Sequence, residues 1–135
     1  GLGQSVWLDD ISRDLIADGE LGRLIEAGVS GLTSNPAIFE KALSGSRQYD
    51  AQVAELVRQG RREPQAIFEA LAMDDIRQAA DMLRPTYERT QGADGYVCLE
   101  VSPDIARDTE ASLAQGRRIW REVDRPNLMV KVPAT

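Results

Sequence analysis

Asn127-Leu128-Met129-Val130-Lys131-Val132 is an almost continuous apolar run that a single lysine interrupts. A short run of this kind is typical of a strand in a parallel sheet whose outer face is covered by helices. Three earlier segments, at 5–9, 29–34 and 95–101, have the same character, and Asn35-Pro36 ends the second of them. We therefore predict four strands.

The sequence between these strands has apolar residues at helical spacing. We predict one helix that Ser12 caps and that ends at Gly28, two over 37–43 and 48–58, a long one from Pro64 that Pro85 kinks or interrupts, and one over 108–123. Strands that alternate with helices indicate an α/β fold. No repeat or Gly/Ser linker divides residues 1–135, so we expect one unit without an internal boundary.

The sequence stops directly after the fourth strand, with no helix to cover it. A (β/α)8 TIM barrel needs about 250 residues, so we expect the first half of such a barrel, truncated after strand four. The alternative is a small open doubly wound domain whose last strand is completed by another element.

Composition excludes several classes of function. The net charge of -6 and the pI near 4.7 argue against a partner that is a nucleic acid or an anionic membrane, because both would repel this chain. No apolar run reaches the roughly 18 residues that span a bilayer, and the single cysteine, Cys98, has no internal disulfide partner. We expect a cytoplasmic protein.

The sequence contains no histidine, which removes Ser-His-Asp triads, Cys-His pairs and metal sites that need imidazole. We expect Cys98 to pack as a small apolar residue. Trp7 and Trp120 are expected in the core or between helix and sheet.

Each predicted strand ends with a polar residue of a reactive type: Asp9 after the first, Thr33 and Asn35 at the second, Glu100 at the third and Lys131 in the fourth. The carboxyl ends of the strands carry the active site in barrels, and idle polar residues there cost stability. These five residues are our candidate site.

Lys131 is the strongest signal, because its neighbours in the strand are apolar. Burial disfavours an ammonium group and favours the neutral amine, which is a nucleophile towards carbonyl carbon. The alternative is a lysine on an edge strand that points to solvent and discourages sheet pairing. The Pro133-Ala134-Thr135 turn that follows favours the site interpretation.

Asp9 and Glu100 are carboxylates that could move protons during Schiff-base chemistry, although each could instead be a cap or turn residue. The Asn35 carboxamide could donate and accept hydrogen bonds with substrate hydroxyls, or it could simply form an Asn-Pro turn.

Four segments, taken together, resemble the transaldolase family in order and spacing, in its longer bacterial form. They are Val6-Trp7-Leu8-Asp9-Asp10, the run 31–39 that contains Thr33-Ser34-Asn35-Pro36, Leu99-Glu100-Val101, and Leu128-Met129-Val130-Lys131-Val132-Pro133-Ala134-Thr135. The resemblance covers essentially the whole chain and about the first half of the family.

The resemblance implies roles for the matching residues. Lys131 would form a Schiff base with the C2 carbonyl of fructose 6-phosphate or sedoheptulose 7-phosphate, Asp9 would take the C4 hydroxyl proton, and Glu100 would relay protons through a water. Asn35 and Thr33 would hold the dihydroxyacetone fragment. The implied activity belongs to the pentose phosphate pathway and needs no cofactor, since the protonated imine is the electron sink.

Two other functions remain open at this point. One is an enzyme like fructose-6-phosphate aldolase, which dependence on the substrate phosphate would distinguish. The other is an inactive half-barrel that only associates with another copy or with a missing C-terminal half, because its open edges expose apolar surface. The residues that bind the phosphate in the family lie outside this sequence.

Overall fold

A computed structural model of the protein, describing residues 2–134, contains one sheet of four parallel strands. The strands are β1 (Val6–Leu8), β2 (Val29–Thr33), β3 (Tyr96–Glu100) and β4 (Leu128–Lys131). They lie side by side in chain order, so each connection is a crossover that carries helices. The prediction of four parallel strands alternating with helices is confirmed, and the sheet they form is open.

The helices are α1 (Arg13–Ala17), α2 (Glu20–Glu26), α3 (Pro36–Gly45), α4 (Asp50–Arg58), α5 (Pro64–Arg89) and α6 (Thr109–Val123). A single 3-10 turn, Pro103–Ile105, precedes α6. Within residues 2–134 no helix combines the length and apolar character needed to cross a membrane.

The sheet has two different faces because side chains alternate along each strand. On the helix face, strand residues pack with α5 and α6 in one buried core; they are Leu8, Leu32, Val97, Leu99, Leu128 and Val130. On the opposite side, which we call the open face, lie Trp7, Gly31, Thr33, Tyr96, Cys98, Glu100, Met129 and Lys131. The helices therefore cover only one side of the sheet.

The segment predicted as one helix up to Gly28 is two helices, so that prediction was wrong. The first ends at Ala17, and Gly19 begins the second from a left-handed conformation, with φ of +77°. Glycine adopts this conformation without steric cost, and one such residue is enough to redirect the chain. Ser12 caps the first helix as predicted, and its Oγ accepts from the Leu15 N–H at 3.0 Å.

Pro85 does not interrupt α5, which runs through it from Pro64 to Arg89. Proline at this position removes the hydrogen bond to the carbonyl of Asp81, one turn earlier. Both residues are exposed, so water can satisfy that carbonyl. The expected interruption is absent because the lost bond lies on the solvent side of the helix.

The two tryptophans were misjudged from the sequence. Trp120 is 49% exposed on α6, outside the core. Trp7 lies on the open face, where its indole covers the glycine position Gly31 of the adjacent strand. Neither packs between the helices and the sheet.

Candidate functional site

Glu100 and Lys131 form the centre of the candidate site. Each is the last residue of its strand, and the two stand opposite each other in the parallel register of β3 and β4. Their side chains project from the open face, and Lys131 Nζ lies 3.4 Å from Glu100 Oε2. The structure therefore brings the predicted nucleophile and a predicted proton carrier into an ion pair.

Lys131 is less buried than the sequence indicates. Its side chain is 40% exposed, whereas that of Glu100 is 20% exposed. The lysine is therefore only partly buried by the described residues, because none of their helices covers the open face of the sheet. The alternative of an edge-strand lysine matches this exposure, while the ion pair gives the side chain a defined partner.

Thr33 ends β2 on the same face, two residues before the level of the ion pair, which is the neighbouring position on that face. It stands opposite Cys98, which in turn stands opposite Met129. Burial raises the pKa of the Cys98 thiol, although the charge of Lys131 opposes this effect. The thiol therefore stays protonated at neutral pH and acts as a small, largely apolar neighbour, as the sequence indicates.

Asp9 directly follows β1, so it stands level with Thr33, since Leu8 pairs with Leu32. The residue is exposed, and within residues 2–134 its carboxylate makes no hydrogen bond or ion pair. It is not the cap of α1, because Ser12 has that role. The structure thus leaves the Asp9 carboxylate unengaged at the same sheet edge as Glu100, but does not bring it into contact with Lys131.

Asn35 has a structural role that the sequence left open. It caps α3, and its Oδ1 accepts from the Ile38 N–H at 3.0 Å, while Pro36 occupies the first turn. The carboxamide oxygen is thereby committed to the helix. The Nδ2 group makes no hydrogen bond within residues 2–134, so it is the part of this side chain that remains to donate to a ligand.

The chain is similar in sequence to proteins of one family. Residues 6–135 match the family described as Transaldolase/Fructose-6-phosphate aldolase. The chain is 53% identical to "Transaldolase" of Thiobacillus denitrificans, with 99% of this chain and 37% of that protein covered. It is 51% identical to "Transaldolase 2" of Nostoc punctiforme (98% and 35% covered) and 52% identical to "Transaldolase" of Thermobifida fusca (98% and 36% covered).

The chain belongs to the transaldolase and fructose-6-phosphate aldolase family. Its four parallel strands and their helices are an α/β fold consistent with part of the TIM barrel of this family. The chain spans a little over a third of the length of the curated transaldolases that it matches.

The sequence analysis did not predict one charged cluster that the structure contains. Arg13, Tyr49 and Asp75 meet in the interior, although they lie in three separate parts of the chain. One signal was available: Asp75 lies one turn from both Leu71 and Ala79, on the apolar stripe of the long helix. A carboxylate in that stripe is buried, and burying its charge is costly unless a hydrogen-bond donor or a cation is buried beside it.

A second missed group joins the amino ends of the strands. Ser5 Oγ donates to Asp94 Oδ2 at 2.6 Å, which ties the chain before β1 to the chain before β3. Burial favours the neutral acid, but hydrogen bonds from Ser5, Ser30, the Gly95 N–H and Trp7 outweigh it and lower the pKa of Asp94. This group lies at the amino ends of the strands, whereas Lys131 lies at their carboxyl ends, so we interpret its role as stabilising the fold.

No set of three or more Cys, Asp or Glu side chains among residues 2–134 is arranged to hold a metal ion. The chemistry available at the site is that of an amine, two carboxylates, a hydroxyl and an amide.

Proposed function

We propose that this chain carries the Schiff-base residues of a transaldolase, which transfers a dihydroxyacetone unit between sugar phosphates. The reaction would connect sedoheptulose 7-phosphate and glyceraldehyde 3-phosphate with erythrose 4-phosphate and fructose 6-phosphate in the pentose phosphate pathway. The observation that carries the proposal is the pairing of Lys131 with Glu100 at the carboxyl ends of β3 and β4.

In the proposed first half-reaction, Lys131 has to lose a proton before it attacks. Glu100, 3.4 Å from Nζ, is the base that would accept this proton directly or through a water. The free amine then attacks the C2 carbonyl carbon of the ketose phosphate. Loss of the C2 oxygen as water, with a proton returned through Glu100, leaves the protonated imine.

Cleavage follows from the electron demand of that imine. Asp9 would take the proton of the C4 hydroxyl as the C3–C4 bond breaks. The electron pair of that bond moves into the imine and leaves an enamine on Lys131, while C4 becomes the aldehyde of the departing aldose phosphate. The enamine then attacks an acceptor aldehyde, and hydrolysis returns the lysine.

Thr33 and Asn35 would bind the three-carbon fragment between these two steps. The Thr33 hydroxyl lies on the open face, and the Asn35 Nδ2 is a free donor, so both could hydrogen-bond the fragment's hydroxyl groups. We further propose sugar phosphates as the small-molecule partners and the cytoplasm as the compartment.

The sequence permits a sharp test, because Lys41 and Lys131 are its only lysines. The protein is incubated with fructose 6-phosphate and reduced with borohydride, and the adduct is located by peptide mass mapping. We expect a dihydroxyacetone adduct on Lys131 that is lost in Lys131→Ala and retained in Lys41→Ala. An adduct on the amino terminus or on both lysines alike would contradict the proposal.

The acceptor requirement separates transaldolase from the aldolase alternative. A transaldolase passes the dihydroxyacetone unit of fructose 6-phosphate to erythrose 4-phosphate, so it forms glyceraldehyde 3-phosphate continuously only when this acceptor is present. An aldolase releases free dihydroxyacetone without an acceptor. We expect continuous formation of glyceraldehyde 3-phosphate only with erythrose 4-phosphate, and no free dihydroxyacetone.

As a second proposal, the chain associates with another copy of itself or with a C-terminal half. The support for this is the exposed apolar side chains on α6 and next to β4. Leu113 is 53%, Trp120 49% and Val132 50% exposed. Sedimentation of the protein and of Trp120→Glu tests self-association, which predicts a larger species for the parent only.

A further inference from the structure

The carboxylate of Asp75 is the centre of the buried cluster. It lies on α5 with 0% exposure and accepts two hydrogen bonds. One comes from Arg13 Nε at 2.9 Å and the other from the Tyr49 hydroxyl at 2.5 Å. Its charge is therefore matched, and both of its oxygens are used.

Tyr49 contacts Arg13 in two further ways. Its hydroxyl oxygen accepts from the backbone N–H of Arg13 at 2.8 Å, and the guanidinium carbon lies 4.3 Å from its ring centroid. Tyr49 is 2% exposed and directly precedes α4. The first residue of α1 is therefore attached to α4 and α5 through both its backbone and its side chain.

This attachment holds the loop between β1 and α1, which begins at Asp9. Ile11 in the loop is fully buried, and Ser12 caps the helix. On the other side of Arg13, Asp14 Oδ1 accepts from Ser46 Oγ at 2.9 Å. Among the described residues Asp9 itself has no such contacts, so its position depends on β1 before it and on what holds the residues after it.

Stability alone is a poor explanation for this cluster. Arg13 Nη2 is buried without a hydrogen bond among the described residues. A buried ion pair seldom adds more stability than apolar side chains of the same volume. What the ion pair does add is a fixed relative orientation of the segments that it joins, because a planar guanidinium and a phenol form good hydrogen bonds in few geometries.

We propose that Arg13, Tyr49 and Asp75 are positioning residues that fix Asp9 by clamping the β1–α1 loop. The inference rests on the proposed role of Asp9 as the base for C3–C4 cleavage. The hydrogen bonds of the clamp join α1, α5 and the residue before α4, and none of them reaches Glu100 or Lys131, although α5 itself packs against β3. Loosening it therefore impairs cleavage and leaves imine formation intact.

Tyr49→Phe is the test variant, because it keeps the ring and removes the oxygen that holds both Arg13 and Asp75. Tyr96→Phe is the matched control, since its hydroxyl donates to Gly92 at 2.6 Å, away from the loop. Amide hydrogen exchange is measured on both. We expect exchange over 9–14 to rise by several-fold, up to about tenfold, in Tyr49→Phe alone, with β3 and β4 unchanged.

Borohydride trapping supplies the chemical readout. The parent traps the three-carbon adduct, because cleavage follows imine formation. In Tyr49→Phe the total adduct yield is expected to stay constant, while its mass shifts towards the uncleaved six-carbon sugar phosphate. General loss of structure would instead lower the total yield, and Asp75→Asn should reproduce the mass shift if the clamp is responsible.

Unchanged exchange over 9–14 in Tyr49→Phe overturns the inference, and so does an equal rise in β3 and β4. A fall in adduct yield without a change in adduct mass does the same. If the parent forms no adduct, the proposed function fails, and exchange over 9–14 still decides whether the clamp holds the loop.

Discussion

Replacing Gly31 with alanine tests the packing of the open face. A Cβ at this position would lie 2.2 Å from Cε2 and 2.5 Å from Nε1 of Trp7. The backbone of this strand residue is extended, so alanine meets no conformational obstacle there. The whole effect must therefore come from the collision with the indole.

The magnitude follows from the geometry of that collision. Ordinary carbon contacts begin near 3.5 Å, so the rigid indole has to move by more than about 1 Å. Overpacking of this kind costs about 1–3 kcal/mol, while alanine returns about 0.5–1 kcal/mol relative to glycine in a strand. We expect Gly31→Ala to lower the free energy of unfolding by about 1–2 kcal/mol.

Urea unfolding followed by circular dichroism measures this change, with Gly45→Ala as the control, since nothing lies within 4 Å of its added Cβ. In a Trp120→Phe background, the fluorescence of Trp7 should also shift to the red as the indole leaves β2. Repeating Gly31→Ala in a Trp7→Val background should abolish the cost. An equal cost in both backgrounds would refute the reasoning.

Four further outcomes are expected. Gly116→Ala should raise the urea midpoint, because its Cβ meets only an ordinary 3.5 Å contact and alanine favours the helix by about 1 kcal/mol. Asn127→Leu should destabilise by about 2–4 kcal/mol in the same assay, since two backbone carbonyls lose the fully buried Nδ2 donor. The pKa of Asp94 is lowered in the folded state, so the stabilisation that its carboxylate provides is present above pH 3.8 and is lost as the pH falls through its folded-state pKa. The free energy of unfolding should therefore depend less on acid pH in Asp94→Asn than in the parent. Burial and the hydrogen bond to the Asp75 carboxylate raise the pKa of Tyr49 above its ordinary value of 10.0. The free energy of unfolding should therefore fall as the pH rises beyond 10.0, and it should fall less in Tyr49→Phe.

Each of these measurements has an outcome that contradicts it. A lower midpoint for Gly116→Ala would mean that α6 lies closer to β4 than the structure gives. A mild effect of Asn127→Leu would mean that water reaches the two carbonyls. Identical acid unfolding curves for the parent and Asp94→Asn would show that Asp94 does not contribute to the pH dependence of stability. Identical alkaline curves for the parent and Tyr49→Phe would show the same for Tyr49.

Much of the fold was predictable because strand-forming and helix-forming patterns are local. The four strands were found within one or two residues of their ends, and Asp108 was correctly taken as the start of the last helix, where its Oδ1 caps the Ala111 N–H at 2.9 Å. The break at Gly19 was not predicted, because it depends on the left-handed backbone that this glycine adopts in the folded chain. The continuity through Pro85 was not predicted, because it depends on which side of the helix faces water.

The candidate site was predictable in part. Polar residues at strand ends share one edge of a parallel sheet whatever the packing is, so Asp9, Thr33, Glu100 and Lys131 were placed at one edge from the sequence. The roles assigned to them stay predictions. The commitment of the Asn35 oxygen to a helix was only one of two open alternatives, because it depends on how the following turn is oriented.

The sequence by itself determined the order of the strands and helices, the residues at the strand ends and the family, since all of these are contained in local patterns and in the order of short motifs. Only the tertiary structure decided the contacts. The 3.4 Å pairing of Lys131 with Glu100 requires the register of two strands, and the cluster of Arg13, Tyr49 and Asp75 requires three helices to meet. Register and helix packing result from burying the whole apolar surface at once, and no local segment contains that information.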